Sequence, residues 1–143
     1  MFLVDVNILL YAHLKLSPHH ERAREWLDDQ LGGSARVGLP CLSLLGFLRI
    51  ATNPRILLRA ESVPAAVKQV REWLDNDMVW IPEPTERHAD ILGRMLIELD
   101  SGGDTVPDAH LAALAMEHGL TLCTNDRDFA RFPNLKWMNP LAA

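Results

Sequence analysis

The chain opens with Met1-Phe2-Leu3-Val4-Asp5-Val6-Asn7, and this stretch decides the fold. Its apolar run, Phe2-Leu3-Val4, consists of β-forming residues and predicts a short strand that is buried on both faces. Asp5 then stands at the carboxyl end of that strand. Open α/β sheets bind their ligands at this edge, so Asp5 is the first candidate for chemistry in the chain.

The rest of the chain alternates between strand-like and helix-like patterns. Further strands are predicted at residues 36–39, 78–81, 120–123 and 136–138. Helices are predicted at residues 6–12, 17–31, 40–52, 62–74, 85–99 and 108–117. Ser17, Ser62 and Thr85 are predicted N-caps, and Gly119 is a predicted C-cap. This alternation favours an α/β fold in which a parallel sheet carries helices on both faces.

Length and composition indicate an ordinary globular chain. Its 143 residues are the usual size of one domain, so we expect a single domain spanning residues 1–143. Asp5 interrupts the N-terminal apolar run, and no run approaches the roughly 18 residues that span a bilayer. We therefore expect a cytoplasmic protein without a membrane segment or a secretory signal. Cys41 and Cys123 fit no CxxC pattern and are predicted to be buried free thiols.

Three aspartates are candidates for one site. Asp5 and Asp126 both follow buried apolar runs, so both should project from the carboxyl edge of the sheet. Asp108 follows Val106-Pro107 at or near the first turn of a helix, where the helix dipole favours an acid. Each has a simpler explanation by itself: Asp5 and Asp126 as loop acids, Asp126 as a cap for a short helix at residues 129–132, and Asp108 as a helix N-terminal acid.

The combination of these carboxylates at one edge predicts a metal site. Three neighbouring carboxylates repel one another and raise each other's pKa, and a divalent cation relieves that repulsion. Ligation by oxygen alone suits Mg²⁺ or Mn²⁺ rather than zinc. Such an ion activates water for attack on a phosphate ester. The sequence therefore predicts metal-dependent phosphodiester chemistry, with Asp5, Asp108 and Asp126 as both metal ligands and catalytic residues.

Longer motifs carry a family resemblance. Together with Asp5, the segments Val106-Pro107-Asp108-Ala109-His110-Leu111-Ala112-Ala113-Leu114-Ala115 and Leu122-Cys123-Thr124-Asn125-Asp126-Arg127-Asp128-Phe129 resemble the PIN domain. Gly46-Phe47-Leu48-Arg49-Ile50-Ala51-Thr52-Asn53-Pro54 and Phe132-Pro133-Asn134-Leu135-Lys136-Trp137-Met138-Asn139-Pro140-Leu141 resemble the VapC toxins of type II toxin–antitoxin systems, in particular a subgroup abundant in mycobacteria. The resemblance covers nearly the whole chain.

The resemblance implies both a fold and an activity. The implied fold is a PIN-like three-layer α/β/α domain with a central parallel sheet of about five strands. The implied activity is that of a Mg²⁺- or Mn²⁺-dependent endoribonuclease, a hydrolase in which metal-activated water attacks in line and leaves a 5′-phosphate and a 3′-hydroxyl. It also implies homodimerisation, an RNA substrate (tRNA, rRNA or mRNA), and inhibition by a VapB-type antitoxin whose C-terminal segment reaches the active site.

Site residues follow from the resemblance position by position. Asp5, Asp108 and Asp126 match the metal-binding aspartates of the family. Asp128 is a less constant additional acid, and the Thr124 hydroxyl and Asn7 are supporting groups. His110 lies two positions after Asp108 and so faces another side of the helix, where a packing or surface role is expected rather than one as a base.

One position departs from the family pattern. Many PIN domains have a glutamate in the helix after the second strand, whereas Gly46 stands at the matching position here. This leaves open whether one or two metal ions bind. Asp104, in the glycine-containing loop before the Asp108 helix, is a candidate replacement ligand, and its simpler interpretation is a solvated loop acid.

A local basic region is the candidate path for RNA. The whole chain has a net charge of −5, yet residues 49–72 contain five basic residues and two acids. Arg49 and Arg55 are the predicted RNA contacts. The simpler interpretation is a solvated helix face.

Two other functions remain as alternatives. Phosphoryl transfer to Asp5 is disfavoured because Asp5-Val6-Asn7 lacks the second aspartate of a DxD motif, and no lysine follows a late strand as a receiver domain requires. The other alternative is a PIN-like module that binds RNA or antitoxin without cleaving, with Gly46 as the sign of weakened catalysis.

Overall fold

A computed structural model describes residues 1–142, and a five-stranded parallel sheet forms its centre. The strands are β1 (Phe2–Val4), β2 (Val37–Gly38), β3 (Val79–Trp80), β4 (Thr121–Cys123) and β5 (Trp137–Met138). They are arranged in the order β3-β2-β1-β4-β5, and every neighbouring pair is parallel. The predicted α/β class and strand number are confirmed.

Helices connect the strands. They are α1 (Val6–His13), α2 (His20–Leu31), α3 (Cys41–Ala51), α4 (Val63–Leu74), α5 (His88–Leu99), α6 (Thr105–Glu117) and the short 3-10 helix η1 (Arg127–Arg131). The predicted cap of α4 is confirmed, because the Ser62 hydroxyl accepts a hydrogen bond from the backbone N–H of Ala65. Among residues 1–142, no helix is both long and apolar enough to cross a membrane.

Two apolar clusters lie against the sheet and produce the three layers. Successive residues of a strand point to opposite faces, so Val4 belongs to one cluster and Leu3 to the other. Phe47 is the largest fully buried side chain of the first cluster, which includes residues of α1 to α4. Phe129 is the largest fully buried side chain of the second cluster, which includes residues of α5 and α6. The central strand is therefore buried on both faces, as its sequence predicts.

The order of the strands reverses between β1 and β4. The chain leaves β1 for β2 and β3 on one side and returns to β4 and β5 on the other. At this reversal Val4 pairs with Cys123, and the backbone N–H of Asp5 donates to the carbonyl oxygen of Cys123 at 3.0 Å. The carboxyl ends of β1 and β4 therefore lie side by side, at the place where parallel α/β sheets bind ligands.

The N-caps of α2 and α5 lie two residues later than predicted, at His19 and Arg87. Ser17 does not cap α2: its hydroxyl accepts from the backbone N–H of His19, and the helix begins at His20. Thr85 does not cap α5, which begins at His88. Its hydroxyl accepts from the N–H of Arg87, so Thr85 forms a turn before the helix. Such side-chain turns compete with a helix start for the same polar residues.

The start of α6 lies three residues earlier than predicted, at Thr105. The prediction began the helix after Pro107, but proline lacks only a backbone donor, which the first turn of a helix does not use. Asp108 is consequently held within the first turn. At the other end, Gly119 adopts φ +66° after the last helical turn, which confirms the predicted glycine stop.

The two cysteines differ in exposure. Cys123 is buried and free, and burial raises the pKa of its thiol to about 12. Cys41 is also free but exposed at the first position of α3, so the prediction of burial is wrong for this residue. Its side chain lies on the outward face of a helix whose inward face carries Leu44 and Phe47.

Candidate active site

Asp5 is a fixed, nearly buried carboxylate between β1 and α1. One of its oxygens, Oδ1, accepts from the backbone N–H of Val6 at 2.7 Å and so caps α1. The other oxygen, Oδ2, accepts from the hydroxyl of Thr124 at 2.7 Å and from Asn7 Nδ2 at 3.3 Å. Only 8% of the residue is exposed. The position of this carboxylate is therefore set by both strands of the reversal.

Thr124 joins the end of β4 to the end of β1. Its buried hydroxyl donates to Asp5 and accepts from the backbone N–H of Asp126 at 3.0 Å and from Asn7 Nδ2 at 3.2 Å. Asn7 Oδ1 in turn accepts from the backbone N–H of Asn125 at 3.1 Å. The predicted supporting residues, Thr124 and Asn7, thus have a clear physical role, because they brace Asp5 against the loop that carries Asp126.

Asp126 and Asp128 lie at the start of η1. Asp126 Oδ1 accepts from the backbone N–H of Asp128 at 2.9 Å, so the capping role considered from the sequence is present in the structure. Asp126 is half-buried, whereas Asp128 is exposed. A cap uses one oxygen of the carboxylate, so capping and a metal-binding role are compatible.

Asp108 lies in the first turn of α6 and faces η1. Its Oδ2 accepts from Arg131 Nη2 at 3.1 Å, and the two side chains are 34% and 37% exposed. The guanidinium of Arg131 also lies 5.0 Å from the ring centre of Phe132. Sequence reasoning missed this arginine. The available signal was a cation five positions after Asp126, within the same short acidic segment.

Electrostatics couple these acids into one group. Burial raises the pKa of Asp5, hydrogen bonds from Thr124 and Val6 oppose the rise, and the charges of Asp108 and Asp126 add to it. Asp5 therefore experiences the predicted repulsion from the other two aspartates.

Asp108 belongs to the same electrostatic group. Burial raises its pKa, Arg131 opposes the rise, and Asp126 and Asp128 reinforce it. The structure thus brings together Asp5, Asp108 and Asp126, with Asp128 at the margin. We refer to Asp5, Asp108 and Asp126 as the carboxylate group.

The carboxylate group has the donor chemistry of a Mg²⁺ or Mn²⁺ site, although its side chains are not already gathered around one point. Within residues 1–142, no set of three or more His, Cys, Asp or Glu side chains is arranged to hold a metal ion as it stands. Mg²⁺ typically takes one or two carboxylates and keeps several waters, so the oxygens of this group suffice. The raised pKa values of Asp5 and Asp108 also indicate a site where a cation would be stabilising.

Asp104 and Gly46 bear on the missing fourth carboxylate. Asp104 is exposed at the N-cap of α6, makes no capping bond, and contributes to the pKa of neither Asp5 nor Asp108. Gly46 lies in α3 against α1, where an added Cβ would lie 3.1 Å from Val6 Cγ2. A side chain at position 46 would therefore crowd the residue next to Asp5.

The candidate RNA contacts lie outside the carboxylate group. Arg49 and Arg55 are exposed and form no salt bridge within the part of the chain that the structure describes. Arg49 follows Gly46 by three positions in α3, so the two lie on neighbouring parts of the helix surface. Both arginines are thus available to a substrate.

Sequence reasoning also missed two polar supports of the strand ends. The buried Ser43 hydroxyl, in α3, donates to the carbonyl oxygen of Val4 at 2.7 Å and anchors the end of β1. Asn139 Nδ2 donates to Asn125 Oδ1 at 3.0 Å and anchors the segment after β4. Small polar residues next to buried strands were the available signal for both.

A cavity of about 860 Å³ lies elsewhere on the molecule. Its lining includes Tyr11, His13, Leu58, Glu61 and Gln69, and none of the predicted metal ligands. The carboxylate group is therefore the candidate active site because of its chemistry, and not because of the size of a cavity.

Comparison with known proteins defines the class. The family model for the PIN domain matches residues 2–135 of the chain. Two curated proteins of Mycobacterium tuberculosis are similar over 99% of both chains: Ribonuclease VapC37, with 44% identity over 142 residues, and Ribonuclease VapC33, with 40% identity over 141. The chain therefore belongs to the PIN-domain family and, within it, to the VapC group.

Solved structures agree on the fold. VapBC2 from Rickettsia felis, bound to a DNA fragment from its promoter, matches with a TM-score of 0.71 and 18% identity, covering 96% of this chain and 97% of the other. VapC20 from M. tuberculosis, described as a sarcin-ricin loop cleaving toxin, matches with a TM-score of 0.69 and 16% identity, covering 95% and 99%. At these identities the likeness concerns the fold alone.

Proposed function

We propose that this chain is a VapC-type toxin, an endoribonuclease that hydrolyses RNA phosphodiester bonds with Mg²⁺ or Mn²⁺. The observation that carries the proposal is the carboxylate group at the reversal between β1 and β4, where burial and the charges of Asp108 and Asp126 raise the pKa of Asp5, and burial and the charge of Asp126 raise that of Asp108. The ribonuclease names of relatives that match over nearly their whole length support the same activity.

The proposed roles of the three aspartates differ because their side chains are held with different rigidity. Asp5 is fixed by Val6 and Thr124, so it offers an oxygen whose position costs no further ordering. Asp108 and Asp126 are more exposed and complete the set of oxygen donors. When bound, the ion supplies charge neutralisation at the phosphate and activation of water for in-line attack. No histidine is needed as a base, because a bound ion would itself lower the pKa of the attacking water.

Arg49 and Arg55 are proposed contacts for the RNA backbone. Both are exposed cations without an intramolecular salt bridge in residues 1–142. Each phosphate contact with single-stranded RNA adds about 0.7 to the magnitude of the slope of log affinity against log salt concentration. Replacing either arginine by alanine should reduce the slope by that amount. An unchanged slope would remove that arginine from the interface.

A VapB-type antitoxin is the proposed inhibitory partner, and a homodimer the proposed assembly. Support for the partner comes from membership of the VapC group and from similar chains solved as VapBC complexes. Light scattering on the purified chain, alone and with the product of the adjacent gene, tests both. A strictly monomeric chain that binds no such product contradicts them.

The central test is cleavage by antitoxin-free protein on a panel of RNAs, with Mg²⁺, with Mn²⁺, and with excess EDTA. We expect cleavage with either ion and none with EDTA. Asp108→Asn should lower the rate by more than about 100-fold, the upper end of losses for residues that merely support metal ligands. Asp104→Asn is the matched control, since this neighbouring acid stands outside the group, and it should keep its rate.

The alternative is a PIN-like module that binds RNA or antitoxin without cleaving. Gly46 is the observation that favours it, because the usual fourth carboxylate is absent from α3. If no RNA is cleaved with either ion, and Asp108→Asn binds RNA as the parent does, the binding module replaces the nuclease. Cleavage in excess EDTA would contradict the metal-dependent mechanism.

A further inference from the structure

Arg131 is the cation in direct contact with the carboxylate group. Among residues 1–142 it forms the ion pair that reaches Asp5, Asp108 or Asp126, through Nη2 and Asp108 Oδ2. Lys and Arg elsewhere pair with acids outside the group. An acidic site that takes an anionic polymer needs positive charge close to the reacting phosphate, and this guanidinium is already there.

The guanidinium retains most of its hydrogen-bonding capacity. Arginine carries five N–H donors in a planar fork, and the contact with Asp108 uses one of them. The side chain is 37% exposed and is therefore accessible to a ligand. Arginine binds phosphate oxygens with two parallel N–H donors. Arg131 is therefore able to hold Asp108 and a phosphate oxygen at the same time.

Two contacts orient the guanidinium. Asp108 holds one nitrogen, and the ring of Phe132, whose own side chain is only 3% exposed, lies 5.0 Å from the guanidinium carbon. Phe132 belongs to the core cluster on the α6 side of the sheet, so this support is rigid. Arg127, on the same short helix, has no such anchors: it is exposed and forms no salt bridge in the described residues.

We propose that Arg131 is a substrate-binding residue that holds a phosphate of the RNA, with Asp108 and Phe132 as its positioning groups. The proposal rests on the proposed ribonuclease function and adds a contact to it. Asp108 then serves two partners, one at each oxygen. The acidic site gains a built-in cation that draws the RNA backbone toward the carboxylates.

The test measures RNA binding in a variant that does not cleave. Asp5→Asn serves as the background, since asparagine also caps helices and the substitution removes a proposed ligand. Within it, Arg131→Ala and Arg127→Ala each remove one positive charge from η1. A labelled single-stranded RNA is titrated by fluorescence anisotropy at several salt concentrations. Because binding is measured without turnover, the result is independent of whether the parent cleaves.

The expected results separate a phosphate contact from general charge. Arg131→Ala should weaken binding roughly tenfold or more and lower the salt slope by about 0.7, as expected for one lost charge-assisted contact. Arg127→Ala should leave both nearly unchanged. Arg131→Lys should keep the slope but bind more weakly, because an ammonium does not reproduce the two-donor geometry. In the cleaving parent, Arg131→Ala should act mainly by raising KM.

Two results would overturn the proposal. Unchanged affinity and slope in Arg131→Ala would leave Arg131 as a structural partner of Asp108 only. Equal losses in Arg131→Ala and Arg127→Ala would reduce its effect to the net charge of η1. If Arg131→Ala does not fold, as judged by its thermal unfolding, the Arg131→Lys comparison decides: affinity equal to that of the background contradicts a bidentate phosphate contact.

Discussion

Helix α6 carries an acid near each end, and the two acids are treated in opposite ways. Asp108 lies in the first turn, where the helix dipole favours a negative charge, and Glu117 is the last residue, where the dipole disfavours one. Yet the pKa of Asp108 is raised and that of Glu117 is lowered. Burial and close partners, and not the position along the helix, therefore decide the direction of the pKa shift of each carboxyl.

Glu117 is fully satisfied. Its side chain has no exposed surface, and its oxygens accept from the backbone N–H of Thr85 and pair with Nδ1 of His88, each at 2.5 Å. Burial alone would raise its pKa, but these hydrogen bonds outweigh it. His88 continues to His110 through its other ring nitrogen at 2.9 Å. This network joins α6 to the start of α5.

Asp108 is under-compensated by comparison. Burial and the charges of Asp126 and Asp128 raise the pKa of its carboxyl more than Arg131 lowers it. A carboxylate held among like charges costs stability in the metal-free protein, and its retention is typical of a site that binds a cation or performs chemistry. One end of α6 thus carries a fully paired acid, and the other end carries an acid held among like charges.

The largest expected effect is on Glu117. Glu117→Ala leaves Nδ1 of His88 and the backbone N–H of Thr85 without a partner. Breaking one side of a buried pair costs about 3–5 kcal/mol in the free energy of unfolding. Urea denaturation measures it. Glu98→Gln, at an exposed acid of α5, is the control and should change stability by less than about 0.5 kcal/mol. Equal losses of stability in Glu117→Ala and Glu98→Gln would contradict the stabilising role of the Glu117 hydrogen bonds.

The next effect concerns Asp5, where two variants separate charge from capping. Asp5→Asn keeps an oxygen that can cap Val6 and removes the repulsion with Asp108 and Asp126, but its amide nitrogen cannot accept the hydrogen bonds from Thr124 and Asn7. These two effects on the metal-free protein oppose each other, while cleavage should be lost. Asp5→Ala also loses the cap, which costs about 1 kcal/mol. Thermal and urea unfolding in EDTA should therefore show Asp5→Asn to be more stable than Asp5→Ala by about that amount. Equal stability of Asp5→Asn and Asp5→Ala would contradict the capping role of Asp5.

Asp5 and Glu117 should affect the pH dependence of the free energy of unfolding in opposite directions. The pKa of Asp5 is raised above its ordinary 3.8, so the native state binds more protons and stability falls as pH rises through that raised pKa. The pKa of Glu117 is lowered from 4.5, so its contribution is present above 4.5 and lost as pH falls through the native pKa. The free energy of unfolding is measured against pH without metal. Asp5→Asn should lose the fall in stability with rising pH, and Glu117→Gln should lose the fall in stability with decreasing pH. A parent-like profile in either variant would contradict the assignment.

The smallest expected effect concerns Asp90, an exposed acid that can be compared with the buried Glu117. Asp90 also lies in the first turn of a helix and pairs with an arginine, Arg94, at 3.2 Å, but both side chains are well exposed, at 66% and 79%. Exposed pairs of this kind contribute about 0.3–0.5 kcal/mol, so Asp90→Asn should cost no more than that. A double-mutant cycle with Arg94→Gln measures the coupling. A coupling energy as large as that of the Glu117 network would show that burial is not what separates them.

The central sheet and the carboxylate group followed from the sequence because their signals are local. The run Phe2-Leu3-Val4 and the run before Thr124 are each apolar and β-forming, and each ends in polar residues. Parallel strands place their carboxyl ends together, so Asp5 and Asp126 became neighbours by topology alone. The same reasoning placed Asp108 in the first turn of its helix, although the helix itself begins earlier, at Thr105.

The contacts that distinguish the two acids of α6 did not follow from the sequence, because they are long-range. Glu117 ends an alanine-rich helix and resembles a solvated terminal acid, yet Thr85 and His88, its partners, lie 32 and 29 positions away. Arg131 reaches Asp108 across 23 positions. No pattern of helical or strand period reports such pairings, and the geometry of the packed fold is needed to find them.

The most direct test of the account is diffraction from crystals grown with saturating Mn²⁺, using the anomalous signal of the metal. We expect a peak of anomalous density beside Asp5, from an ion coordinated by oxygens of Asp5 and of Asp108 or Asp126. The peak should be absent from Asp5→Asn crystals grown the same way. The number of peaks also decides between one ion and two in a chain with Gly46. Saturating Mn²⁺ with no density among these carboxylates, or density held by other residues alone, would contradict the central claim.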